Sequence, residues 1–333
     1  MMPTGRPCCV LALVALAAPA ASLAAPPMVL NEWNAVGSGD YLAGGSYKVD
    51  ANKVDPYWAS VPGMPDGRIE GNGGNWIELV VIADHLDIRG WQLRWAEPGA
   101  TDTNGMDVWK GDASVEQGIL TFSATAPLWS DLRAGTILTI SEKHHLHVDT
   151  DWDGGLNDRN FTDGLDAGDP EVDVVIDLTT DTSYDPRRGT ATEDWWIHVS
   201  SREEQAKGAA SLLRTQTNVD GDEAGDFSVG PDDWELSIHD SAGTLVYGPI
   251  GENIEDFGNF PGGIDNREAG RLEADPDRVT IDNDDYDDVT STTFGAANEW
   301  GGNTQDFSFR VPEPGTLALL AVAAPWLVRR RKR

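Results

Sequence analysis

The run Asp149-Thr150-Asp151-Trp152-Asp153-Gly154 sets three carboxylates at alternate positions and closes on a glycine. That spacing places oxygen ligands around a calcium ion, with glycine for the sharp turn. A full loop of this kind has glutamate at its twelfth position, which here is Asn160. Asp158, with Asp163, Asp166 and Asp169, completes a site only if the loop folds back; otherwise the stretch is a solvated acidic loop. Asp149, Asp151, Asp153 and Asp158 are the expected ligands of a Ca2+ ion, and Asn218–Asp222 with Asp226 forms a weaker pattern of the same type.

Other chemistry is thinner. His145 and His147 of the His144–His147 run share one face of an extended chain, a pair suited to zinc or copper or to an exposed strand edge. No G-x-S-x-G, H-E-x-x-H or phosphate-cradling glycine loop occurs, and nothing singles out two carboxylates as a glycosidase pair. The expectation is a protein without a catalytic set. Flat tryptophans flanked by carboxylates and amides suit sugar stacking, so Trp58, Trp109, Trp129 and Trp152 are candidates for a carbohydrate-binding face. Trp76, Trp91, Trp95, Trp195 and Trp234 occupy strand positions that a sandwich interior would bury.

The elements that must position these residues are short strands of period 2. Trp91, Leu93 and Trp95 alternate with Gln92 and Arg94, and Leu120 and Phe122 alternate with Thr121 and Ser123. Similar alternation runs through 172–178, 195–200 and 234–239, and Asp240–Gly243 makes a hairpin turn into Thr244–Tyr247. Only 202–213 has helix-favouring composition, interrupted by Gly208. Recurring period 2 with turn signals argues for an all-β sandwich. Long acidic loops, 149–170, 218–233 and 276–293, separate the strands.

The chain carries a formal net charge of −32. Such a field repels nucleic acid and anionic membrane surfaces, so neither is an expected partner, and it attracts divalent cations or basic partners. Its two cysteines, Cys8 and Cys9, both lie in the first ten residues. Arg6, the apolar stretch from Cys8 to Ala18 and the small residues Ser22-Leu23-Ala24 read as a signal peptide, 1–24, cut after Ala24. The expected mature protein therefore enters an oxidising compartment without a disulfide, and its core must hold it together unaided.

Three stretches resemble the bacterial lamin-tail domain: Leu30-Asn31-Glu32-Trp33, then Trp76-Ile77-Glu78-Leu79, then Asp87-Ile88-Arg89-Gly90-Trp91-Gln92-Leu93. The closing stretch Ser291–Trp300 is similar to that family's Ser-Phe-Gly-Ala-Pro-Asn motif, with Ala297 in place of proline. The resemblance implies an immunoglobulin-like β-sandwich over 25–310, with the middle, about 125–281, as an enlarged insertion or a second β unit. From the residues alone, Ile77, Leu79 and Val81 would point inward. Gly90 would allow a tight bend, while Asn31 and Glu32 would satisfy backbone groups nearby.

The segment 311–333 resembles a PEP-CTERM sorting signal. Val311-Pro312-Glu313-Pro314 is followed by an apolar run to Val328 and by Arg329-Arg330-Arg331-Lys332-Arg333. The basic cluster would stay on the cytoplasmic side. The apolar run is shorter than the roughly 20 residues of a stable transmembrane helix and contains Pro325, which favours an anchor that is processed. The resemblance implies an exosortase-type protease as processing partner and association with exopolysaccharide or other surface components. Together these readings predict an exported, non-enzymatic structural or interaction protein of the cell envelope or extracellular matrix. The alternatives are a calcium- or carbohydrate-binding adhesive module and, further off, a secreted hydrolase.

Overall fold

A computed structural model describes residues 25–37, 42–43, 70–98, 115–142, 145–148, 174–177, 180–185, 195–217, 225–230, 234–251, 264–279 and 285–310. In chain order the first strands are β1 (Met28–Asn34), β2 (Trp76–Val81), β3 (Gln92–Pro98), β4 (Val115–Phe122) and β5 (Ile137–Ser141). Then come β6 (His145–Val148), β7 (Val174–Asp177), β8 (Trp196–Ser200), helix α1 (Ser201–Ala206) and β9 (Leu213–Thr217). Strands β10 (Glu235–His239), β11 (Leu245–Gly251), β12 (Ala269–Leu272), β13 (Tyr286–Val289), β14 (Glu299–Trp300) and β15 (Asn303–Thr304) complete the described set.

Two sheets hold most of these strands. One has six strands in the order β13-β12-β1-β2-β5-β8, and the other has five in the order β11-β10-β3-β4-β9. Every pairing within them is antiparallel except β5 with β8. Strands from the middle of the chain lie beside strands from its beginning in both sheets. The inner faces meet in one apolar core containing Leu30, Ile77, Leu79, Leu93, Leu120, Leu138, Ile197, Leu236 and Ile238. This is an all-β sandwich, as period 2 predicts.

Tryptophans fill the core, and glycines make room for them. Trp33 stacks on Trp234 at 5.7 Å and meets Tyr286 at 5.6 Å. Its cross-strand partner is Gly270, where an added Cβ would lie 2.1 Å from the indole. Trp95 stands over Gly118 in the same way, with 2.6 Å left for a Cβ. Each large ring thus occupies the volume that a neighbour's side chain would need, so alanine at either glycine displaces a buried indole.

One irregularity shapes everything outside the core. The β1–β2 register slips between Leu30 and Glu32, pairing Leu30 with Leu79 and Glu32 with Glu78. This bulge puts Leu30 and Glu32 on opposite faces although they are two residues apart. Leu30 and Trp33 face the core, whereas Asn31 and Glu32 face outward beside Glu78. The buried Leu30 carbonyl accepts a hydrogen bond from the Tyr286 hydroxyl, which itself pairs with Tyr247 at 2.6 Å.

Local expectations mostly reappear. The β10–β11 hairpin turns at Asp240, whose Oδ1 accepts from the Ala242 and Thr244 amides, both at 2.8 Å. Gly90 has φ +76° at the bend before β3. Helix α1 stops at Ala206, and Gly208 takes φ +59° before β9 begins. The six residues of β2 are all buried, which a half-exposed strand would not be. The closing segment covers its outer face.

Candidate functional site

The outer face of the six-stranded sheet carries a line of polar side chains, and residues 291–305 lie over it. Asn31 Nδ2 donates to Glu78 Oε1 at 2.7 Å, and the Gly295 amide donates to Glu78 Oε2 at 2.6 Å. The Thr293 amide and hydroxyl both donate to the Glu32 carboxylate. Asn298 Nδ2 reaches the carbonyls of Asn31 and Leu272, while Gln305 Nε2 donates to Asn31 Oδ1 at 2.8 Å. Phe294 seals the end of the seam, edge-on to Trp76 at 5.0 Å and Trp196 at 6.1 Å. Gly295 has φ +75°, and an added Cβ there would sit 2.8 Å from the Trp196 indole. His198 extends the line, bonded to Thr139 at 2.7 Å and Ser141 at 3.1 Å.

Burial sets the electrostatics of this seam. Desolvation pushes the Glu78 carboxyl up to about 8, against the pull of its bonds from Asn31 and Gly295. It is therefore mainly protonated at neutral pH, consistent with an interior that cannot solvate its charge. Residues of the opening and closing motifs meet here across more than 200 positions of sequence, and their groups bond one another. Glu32 satisfies a backbone amide, as expected, whereas the Asn31 side chain bonds to side chains instead.

The outer face of the five-stranded sheet is built differently. There a cavity of about 550 Å3 is lined by Arg94 of β3, Gln117 and Ile119 of β4, Gln216 of β9, and Ser237 and His239 of β10, among others. The register explains the grouping. Arg94 lies opposite Ser237 and Ile119, and Ile119 lies opposite Gln216, so one row crosses four strands. Both Arg94 Nε and Nη2 donate to Gln92 Oε1, at 3.1 and 2.8 Å. His239 Nδ1 is 3.2 Å from the Gly243 carbonyl and Nε2 is 3.0 Å from Ser237 Oγ. A carbonyl only accepts, so the ring proton belongs on Nδ1 and Nε2 accepts a hydrogen bond from the Ser237 hydroxyl. Burial first, and Arg94 after it, lowers the His239 pKa below its ordinary value, which keeps the ring neutral.

A smaller cavity, about 340 Å3, lies at the β14–β15 hairpin between Trp300, Thr292 and Arg271. Arg271 is ion-paired with Glu273 at 2.7 Å. Among the described residues, neither lining contains two carboxylates.

The sites expected from sequence are only partly within view. Asp149, Asp151, Asp153 and Asp158 lie outside the described residues, between β6 and β7, which pair antiparallel as a sheet of their own. Val311, Pro312, Glu313, Pro314, Arg329, Arg330 and Arg331 lie outside them too, as do residues 1–24 and Trp58, Trp109 and Trp152. Among the described residues no group of three or more His, Cys, Asp or Glu side chains could hold a metal, and no helix is long and apolar enough to cross a membrane. Trp129 is corrected: it is fully buried, edge-on to Phe122 at 5.2 Å, and its indole N–H donates to the Leu212 carbonyl. A short 3-10 turn over Pro127–Ser130 folds it inward, so it offers no sugar platform.

Arg94, Ser237 and His239 escaped the sequence reading. Each stands at a polar position of an alternating strand, and that was the available signal; nothing local says that β3, β4, β9 and β10 become neighbours. Comparison with family models, with curated proteins and with solved structures finds no match to this chain.

Proposed function

We propose that the chain is an exported, non-enzymatic structural and interaction protein of the cell envelope or extracellular matrix. On this reading it is an immunoglobulin-like sandwich of lamin-tail type, sorted through its C-terminal signal and processed by an exosortase-type protease. The observation that carries the reading is the clamp between the opening and closing motifs. Asn31, Glu32, Glu78 and Asn298, the residues on which the resemblance rests, are buried and bonded to one another or to main chain. Their role is architectural, which suits a scaffold that presents surfaces. The reading is tested at the tail. Replacing Arg329–Arg333 with neutral residues should leave the precursor unprocessed on an immunoblot of cell fractions; a mature band of unchanged intensity would sink the sorting assignment.

One observation favours a second reading, a secreted hydrolase: the Ser237 hydroxyl bonded to a neutral His239 beside a cavity. The pair has the donor–acceptor order of a nucleophile and its base. Its histidine is oriented by the Gly243 carbonyl rather than by a carboxylate. Hydrolysis of an activated ester by the purified protein, lost in Ser237→Ala, would establish this reading, and equal background rates for the two proteins would remove it.

A further inference from the structure

We infer that the cavity on the outer face of the five-stranded sheet binds a sugar bearing a single negative charge, with Arg94 as the anchor for that charge. The inference deepens the interaction role proposed above and rests on it. Four arginines of the described fold are held by carboxylates: Arg89 by Asp87, Arg133 by Asp84, Arg202 by Glu142 and Asp226, Arg271 by Glu273. In a chain of net charge −32 that is the expected arrangement. Arg94 is different. Its partner is the amide oxygen of Gln92, and among the described residues no carboxylate stands within ion-pairing distance of it. Gln92 takes two of the five guanidinium N–H groups, which holds the plane of the fork and leaves three to recognise an anion.

The rest of the lining fits a polyhydroxylated ligand. The volume of about 550 Å3 falls within the range of small-molecule sites. Gln117 and Gln216 bring amides that both donate and accept, and the Ser237 oxygen keeps acceptor capacity while donating its hydrogen bond to His239. Half-buried Ile119 supplies an apolar spot for the C–H face of a ring. The row runs across the interior strands β10, β3 and β4 and ends on the edge strand β9, so the floor of the cavity is a sheet face. Recognition there is by side chains. Among the described residues Arg94 is the one cation of this lining, which matches one negative charge, a uronate carboxylate or a sulfate ester.

The test is calorimetric titration of the purified full-length protein with three hexasaccharides: one of uronic acids, one carrying a sulfate ester on each sugar, and one neutral. The uronate or the sulfated oligomer should bind at least about tenfold more tightly than the neutral one, and Arg94→Gln should remove that preference. Preference for the uronate names the carboxylate as the source of charge, and preference for the sulfated oligomer names the ester. Equal affinity for all three, no binding to any, or an unchanged preference in Arg94→Gln overturns the inference. Should Arg94→Gln fail to fold, Ile119→Glu places a carboxylate in the same cavity. Loss of the charged oligomer with an unchanged melting temperature then supports the site, and retained binding overturns it. Tail processing is measured separately, so failure here leaves the export reading standing and failure there leaves this site standing.

Discussion

The two outer faces of the sandwich are made of the same kind of strand and end in opposite states. On the six-stranded sheet, polar side chains point away from the core and are met by the chain's own closing segment. Glu78, Asn31, Asn298 and Gln305 bond to one another there, Glu32 bonds to Thr293, and all five carboxylate and amide residues are buried. On the five-stranded sheet, Arg94, Gln117, Gln216 and His239 point outward from equivalent positions and line a cavity. A polar group answered inside the fold is a structural part, and removing its partner leaves it buried and unsatisfied. A polar group answered only by a neighbouring amide still has donors to offer. Among the described residues, the contrast between the two faces is therefore a difference in what covers each sheet.

That comparison breaks most easily at the clamp. Asn298→Ala removes an amide that bridges Asn31 and Leu272, leaving several buried partners without a bond. A loss of roughly 3 kcal/mol or more in urea unfolding is expected. A loss below about 1 kcal/mol would mean that the seam is not the structural face.

A medium effect should come from pH. The folded Glu78 pKa, about 8, lies above its ordinary 4.5, so between those values the folded chain holds a proton that the unfolded chain releases. Its contribution is full below about pH 4.5 and is lost as pH rises through about 8. Glu78→Gln cannot titrate. Relative to that variant, the wild-type protein should lose up to roughly 1.4 kcal/mol per pH unit across this window. Parallel stability–pH curves for the two proteins would show Glu78 to be unshifted.

The smallest effect belongs to the open face. Arg94→Gln should change unfolding free energy by no more than about 0.5 kcal/mol, because its only described hydrogen-bond partner is Gln92 on the same strand. A cost approaching that of Asn298→Ala would erase the contrast between the faces.

How much of this was legible before folding follows the range of the interactions. The Asp240–Gly243 hairpin was readable because its hydrogen bonds close within four residues. Alternation marked Leu93 and Trp95 as core and Gln92 and Arg94 as outward. The sequence leaves Trp129 open between a sugar face and the core, because nothing local shows the turn that folds it onto Phe122. The β1 bulge was also hidden: period 2 assigns Leu30 and Glu32 to one side, and the register slip separates them. The cavity was the least legible part, since its row combines residues from four strands that only the sheet order brings together.

By itself, the sequence determined the strand period, the hairpin, the acidic balance and the fact that both cysteines lie in the first ten residues. Those are local or compositional properties, set by side-chain alternation and turn chemistry. Only the tertiary structure decided which polar residues are structural and which face outward for binding. Alternation says that a side chain leaves the core, but what it then meets is set by segments far along the chain. Asn31 meets Asn298 from 267 positions away, while Arg94 meets no such closing segment among the described residues.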